Sequence, residues 1–311
     1  MKARARALFS VAIVTAAAAS AIDCGGGDGS SPSATTGDST TQHGGGGAAT
    51  TGGGGSSSVG GGGSSSAGGG GTDPGPDVDT SDPQLYAAEF TPDEADPEAT
   101  DVLGVQPAYL DTRVPPLGKL VVYLHGAGVP STCGSKEHEK VLAGLGYHVV
   151  GPCYVSGYGV DNCGDDIEGC RLEAFEGVDH HPFIDVTPPN SIEVRVAKAL
   201  TYLQAQIPQG DWTYFLDGDK PRWSKIVISG ISHGASSSGV IGLHRLVDRV
   251  VMLSGPLDTG QAWLKKPTTT PIDRFFGFTH TDDGQHAGHL QAFDDMGLPG
   301  APTSVDGATP P

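Results

Sequence analysis

Ser232 stands in the segment Gly230-Ile231-Ser232-His233-Gly234, between the apolar run Lys225 to Ser229 and a small-residue stretch that continues from Gly234. A neutral serine hydroxyl is a weak nucleophile. To attack a carbonyl it needs an exposed position, a neighbouring base and donors for the oxyanion that forms. Glycines two residues before and two after the serine let a strand and a helix pass closely, and the serine between them takes a strained backbone conformation. The five-residue pattern is weak alone and gains meaning from its place between a buried strand and a helix. The bland alternative is a tight glycine turn with a capping serine.

A second segment complements the first. His125-Gly126-Ala127-Gly128 directly follows the apolar run Gly118 to Leu124. Small residues there leave backbone N–H groups free to point into a shared space. The N–H of His233, with that of Ala127 or Gly128, is the expected oxyanion site.

These segments need elements to hold them. Gly118 to His125, Tyr147 to Tyr154, Lys225 to Ser229, Arg249 to Ser254 and Ile272 to Phe278 read as strands, most of them apolar enough to be buried on both faces. Ser135 to Leu145, Ser191 to Leu203, Ser232 to Leu246 and Gln285 to Met296 read as helices. In the second of these, Ile192, Val196, Ala199, Leu200 and Leu203 share a face, and Ser191 or Asn190 can cap it. Residues 155–189 read as irregular. Strands alternating with helices predict an α/β fold with a mainly parallel sheet, whose ligands bind outside the carboxyl ends of the strands.

The HGAG and GISHG segments in this setting resemble the α/β-hydrolase superfamily. Within it, the stretches SIEVRVAKALTYL, WSKIVISGISHGASSSGV, RVVMLSGPLD and FFGFTHTDDGQHAGH are similar to a group of secreted bacterial hydrolase-like proteins, over roughly Leu85 to the end. More distantly the chain is similar to secreted polyester depolymerases and to acetyl xylan or feruloyl esterases. The resemblance implies a carboxylic ester substrate, small or polymeric, and neither a metal nor an organic cofactor. It also implies the chain order serine, acid, histidine. Asp283, after the strand ending in Phe278, is the first choice of acid, Asp282 the second and Asp258 the third.

The histidine has no clear position. His286 and His289 belong to the helix after Asp283, ill placed to bridge that acid and Ser232, and no histidine follows His289. The expectation is a chain truncated before the last strand and its histidine loop. The other readings are an unusual arrangement using His286 or His289, or an inactive relative. His233 should point its side chain elsewhere, His125 reads as a turn residue, and His180 and His181 read as loop residues that could line a pocket.

The remaining sequence concerns export and tethering. Residues 1–24 read as an export signal, with Lys2, Arg4 and Arg6, an apolar stretch from Ala7 to Ala19, and Ala19-Ser20-Ala21 for cleavage. That stretch is too short for a membrane span. Cys24 offers membrane anchoring as a lipoprotein, although Asp23 replaces the small residue usual before such a cysteine. Residues 25–81 read as a disordered tether with tetraglycine blocks at Gly44, Gly52, Gly60 and Gly68, reaching roughly 40 Å. Residues 82–311 form one domain. The protein is expected in the periplasm, secreted or on the outer surface.

Besides Cys24 there are Cys133, Cys153, Cys163 and Cys170, an even set that suggests two disulfides. Cys163 with Cys170 and Cys133 with Cys153 is the favoured of three pairings. The net charge of −18 repels phosphate backbones and argues against nucleic acid as a partner. A competing reading is a non-catalytic surface-binding module, with Trp212, Trp223 and Trp263 as stacking surface or ordinary packing.

Overall fold

The computed structural model describes residues 73–305; the export signal, Cys24 and the tetraglycine repeat lie outside the described residues. Residues 73–81, expected inside the tether, are instead tied to the domain. Asp73 pairs with Lys225 at 2.8 Å and accepts from the Tyr214 hydroxyl at 2.9 Å. The Asp77 N–H donates to Asp211 and that of Asp79 to the Gln209 carbonyl, both at 2.9 Å. The attachment is polar and long-range in sequence, so composition gives no sign of it.

In chain order the elements are β1 (Leu85–Phe90), α1 (Pro92–Ala95), β2 (Gln106–Asp111), β3 (Leu120–Leu124), α2 (Lys136–Gly144), β4 (His148–Val150), α3 (Val160–Cys163) and α4 (Ile167–Glu176). They continue with α5 (Ile192–Gln206), the short hairpin β5 (Leu216–Asp217) and β6 (Lys220–Pro221), β7 (Ile226–Ile231), α6 (His233–His244), β8 (Arg249–Leu253), β9 (Phe275–Phe278) and α7 (His286–Asp295). The seven-stranded sheet has the order β1-β2-β4-β3-β7-β8-β9. β2 runs antiparallel to both β1 and β4, and within this sheet the pairings β4-β3, β3-β7, β7-β8 and β8-β9 are parallel. This is the mainly parallel, helix-flanked α/β architecture that the alternation of elements predicts.

Alternate residues of the central strands feed different layers. Leu120, Val122 and Leu124 of β3 and Ile226 and Ile228 of β7 pack with Val196, Leu200 and Leu203 of α5. Val121 and Val227, on the other face, join Ala143 of α2. The cap of α5 is Ser191, whose hydroxyl accepts from the Val194 N–H.

The structure corrects three readings. Residues 155–189 are not uniformly irregular, because they contain α3 and α4. The strand expected over Ile272 to Phe278 begins only at Phe275; Ile272–Arg274 is a 3-10 turn. The strand expected over Tyr147 to Tyr154 is shorter, since only His148–Val150 pairs within the sheet. The disulfides are Cys133–Cys153 and Cys163–Cys170.

Candidate active site

The parallel pairing of β3, β7 and β8 brings three strand ends together, and Ser232 lies at the middle one. It sits between the end of β7 and the start of α6 with φ 56° and ψ −117°. A non-glycine residue rarely adopts that region, and it persists only where the surroundings impose it. Here they do. The Ser232 N–H donates to the Leu253 carbonyl at 2.9 Å, and its own carbonyl accepts from the Ala235 N–H at 3.0 Å to open α6. A Cβ on Gly230 would lie 2.4 Å from the Gly234 carbonyl, and one on Gly234 would lie 2.2 Å from the Leu124 carbonyl oxygen. Strand and helix therefore cross with backbone against backbone. Ser232 is half-buried beside the exposed Ile231.

The 125–128 turn stands next to it. A Cβ on Gly126 would come 3.6 Å from the Ser232 Cβ. Two side chains hold the turn: the Tyr154 hydroxyl donates to the His125 carbonyl at 2.7 Å, and the Ser156 hydroxyl donates to the Gly128 carbonyl at 2.8 Å. The Gly128 N–H faces the Ser156 carbonyl at 3.4 Å. Ala127 is exposed, and its N–H makes no hydrogen bond among the described residues. His233 is the first residue of α6, a position whose N–H has no acceptor within the helix. Of the two alternatives in the turn, Ala127 is thus the freer donor to pair with His233.

The His233 side chain is buried away from this opening. Its Nε2 faces Arg171 Nη1 at 3.3 Å and its Nδ1 faces the Tyr154 hydroxyl at 3.1 Å. Burial first, and the Arg171 cation second, hold its pKa well below the ordinary histidine value. Asp258, the third choice of acid, is bound to Arg171 through two hydrogen bonds of 2.7 Å, with both side chains 2% exposed, and also accepts from the Trp263 indole at 3.0 Å. It is fully engaged with those partners. Asp282, the second choice, has a side chain 91% exposed.

Asp283 lies in the loop between β9 and α7. The Gln285 N–H donates to its carboxylate at 2.9 Å. That bond first, with lesser contributions from the Ser254 hydroxyl and the nearby His289 and His286, outweighs the opposing effect of burial and keeps its pKa below the ordinary range. Ser254 directly follows β8 and has φ 46°, and its N–H donates to the Phe278 carbonyl at 2.8 Å. His289 and His286 both meet the Thr279 hydroxyl through Nδ1, at 2.9 and 3.2 Å. His289 is buried, its Nε2 has no partner, and burial lowers its pKa against the opposing effect of Asp283. Among the described residues, no histidine hydrogen-bonds to the Ser232 hydroxyl or to the Asp283 carboxylate.

Sequence reasoning missed Ser254, Arg171 and Tyr154. Ser254 had a signal, the Ser-Gly-Pro that closes a buried strand. Arg171 had none, because its helix was not recognised. The three tryptophans are packing residues, with Trp212, Trp223 and Trp263 all buried.

No protein family matches this chain, and no curated protein does. Among solved structures, it is similar to an α/β-hydrolase enzyme from a Medee basin deep-sea metagenome library at 12% identity, covering 70% of this chain and 79% of that one, with TM-score 0.37. Esterase 2 of Thermogutta terrifontis, phosphonylated by cyclosarin, is 11% identical over 68% of this chain and 78% of its own, with TM-score 0.36. A dienelactone hydrolase-like promiscuous phosphotriesterase from metagenomic libraries is 14% identical over 69% and 79%, with TM-score 0.34. Likenesses this distant transfer no residue's role and no substrate to this chain.

Proposed function

We propose that this protein is an exported serine hydrolase of carboxylic esters, small or polymeric, with Ser232 as nucleophile. The observation that carries the reading is the positive φ of Ser232 at a strand-to-helix turn held by Gly230 and Gly234, with Gly126 beside its Cβ. The hydroxyl oxygen attacks the ester carbonyl, and the N–H groups of His233 and Ala127 receive the negative oxygen. A histidine takes the hydroxyl proton and returns it to the leaving alcohol, and water then releases the acid by the same steps. Asp283 orients that histidine. His289 is the described histidine whose surroundings come nearest to the requirement: it lies in the field of Asp283 and has an unpartnered Nε2.

Export is supported by the two disulfides, which persist in oxidising compartments. Among the described residues no helix is long and apolar enough to cross a membrane. Attachment to a membrane, where present, rests on Cys24.

The absence of a histidine bonded to the Ser232 hydroxyl among the described residues favours a second reading, a non-catalytic module on the same fold. One experiment separates the two. A fluorophosphonate probe is expected to modify the purified chain and to leave Ser232→Ala unmodified. Modification of both, or of neither, ends the hydrolase reading.

A further inference from the structure

A chain of buried hydrogen bonds runs beneath the nucleophile turn. It begins at Asp258, which accepts from Arg171 Nε and Nη2, each at 2.7 Å. Arg171 Nη1 shares its two hydrogens among three neighbours at the start of α6: the Ser237 hydroxyl at 3.0 Å, the His233 carbonyl at 3.2 Å and His233 Nε2 at 3.3 Å. His233 Nδ1 meets the Tyr154 hydroxyl at 3.1 Å, and that hydroxyl meets the His125 carbonyl at 2.7 Å.

The proton positions follow from what each group can do. A guanidinium only donates, so His233 Nε2 accepts. A carbonyl only accepts, so the single Tyr154 proton points to His125. The Tyr154 oxygen is then left to accept from His233 Nδ1–H, with the Tyr158 carbonyl a second acceptor for the ring. The ring is therefore neutral and in one tautomer, in agreement with its depressed pKa. Arg171, Tyr154 and His233 are each buried. A buried ion pair is seldom the most stabilising way to fill such a space, so its presence calls for a geometric purpose.

The two ends of the chain supply one. His233 carries one proposed oxyanion donor, and His125 stands two residues before Ala127, which carries the other. We propose that the Asp258–Arg171–His233–Tyr154 chain is a positioning device that fixes the start of α6 against the 125–128 turn, so that the two oxyanion donors keep one separation. This deepens the serine-hydrolase reading and rests on it. The four side chains touch no substrate; they act through the backbone they hold.

Tyr154→Phe keeps the ring and removes the link between His233 and His125. In hydrolysis of p-nitrophenyl acetate by the full chain, kcat is expected to fall about tenfold or more while KM stays within about twofold, because the oxyanion exists only after attack. Tyr158→Phe serves as the control. Tyr158 packs edge-on against His233 at 4.6 Å, but its hydroxyl bonds to no member of the chain and not to the 125–128 turn, so kcat should not change. A folded Tyr154→Phe with unchanged kcat, or with a change in KM alone, overturns the positioning role. A second measurement needs no variant: nitrogen-15 NMR of the His233 ring should show a neutral Nδ1–H tautomer from pH 5 to 8, as the chain requires. An Nε2–H tautomer, or protonation in that range, overturns it also. A wild-type chain inert to the fluorophosphonate probe sinks the hydrolase reading and the purpose assigned here together; a labelled wild type with an unaffected Tyr154→Phe sinks the positioning alone.

Discussion

At position 234 a methyl group has nowhere to go. It would sit 2.2 Å from the Leu124 carbonyl oxygen and 2.6 Å from that of His125, both backbone atoms at the end of a central strand. Gly234→Ala must push α6 away from β3, and a cost of about 3 kcal/mol or more is expected, read as a fall in the urea midpoint. Gly157→Ala is the contrasting case: nothing lies within 4 Å of its Cβ position, and it should stay within about 0.5 kcal/mol of wild type. Equal midpoints for the two variants would show that the turn yields easily, and the strain argued for Ser232 would lose its support. Glycines 230 and 234 and Ser232 were legible in the sequence because their geometric relation is local, written into the spacing of five residues. Ser254 and Arg171 were not, since each acquires its role from a partner far along the chain: Asp283 for the first, Asp258 and His233 for the second.

Elements were legible where burial follows a simple period. The apolar face of α5 and the continuous apolar runs of β3 and β7 announce themselves. Helix α4 did not, and the reason is physical. Arg171 and Glu173 are as buried as Ala174 and Phe175, so hydrophobicity does not separate an inner face from an outer one. The two charged residues organise the interior instead. Glu173 accepts from the N–H groups of His180, His181 and Val186 at 2.9 to 3.1 Å, folding the following loop back onto the helix. Arg171 holds Asp258. Removing one member of that pair strands the other charge in an apolar interior. Arg171→Met should therefore lose about 3–5 kcal/mol of stability, whereas Arg171→Met with Asp258→Leu should recover most of it. Urea denaturation of the single and double variants checks this; a double variant no more stable than the single would mean that a stranded Asp258 charge is not what the single variant suffers from.

For the whole molecule, two buried groups on opposite surfaces of the sheet's core contribute to the pH dependence of folding, and they pull in opposite directions. His148, on β4, bonds to the Gly210 carbonyl through Nε2 at 2.7 Å, and burial first pushes its pKa from 6.5 down to about 4. The unfolded chain takes up a proton that the folded chain refuses, so this stability is fully present above pH 6.5 and is lost as pH falls through 4. Glu139, on α2, is wedged against Gly134 and Gly151, where neither of its oxygens finds a partner, and burial first, against the weaker pull of Lys136, raises its pKa from 4.5 to about 8. Its carboxyl stays protonated in the fold while the unfolded chain ionises. That contribution is complete below pH 4.5 and is lost as pH rises through 8, on the order of 4–5 kcal/mol at full extent. Stability should consequently be greatest in the mildly acidic range between the two and decline toward pH 8. Glu139→Gln, which cannot ionise, should remove the alkaline decline and leave the acidic one, so that its urea midpoint gains on wild type step by step between pH 5 and 8. Parallel curves for variant and wild type across that interval would show that Glu139 is not the group responsible, and that its carboxylate finds solvation or a partner when it ionises.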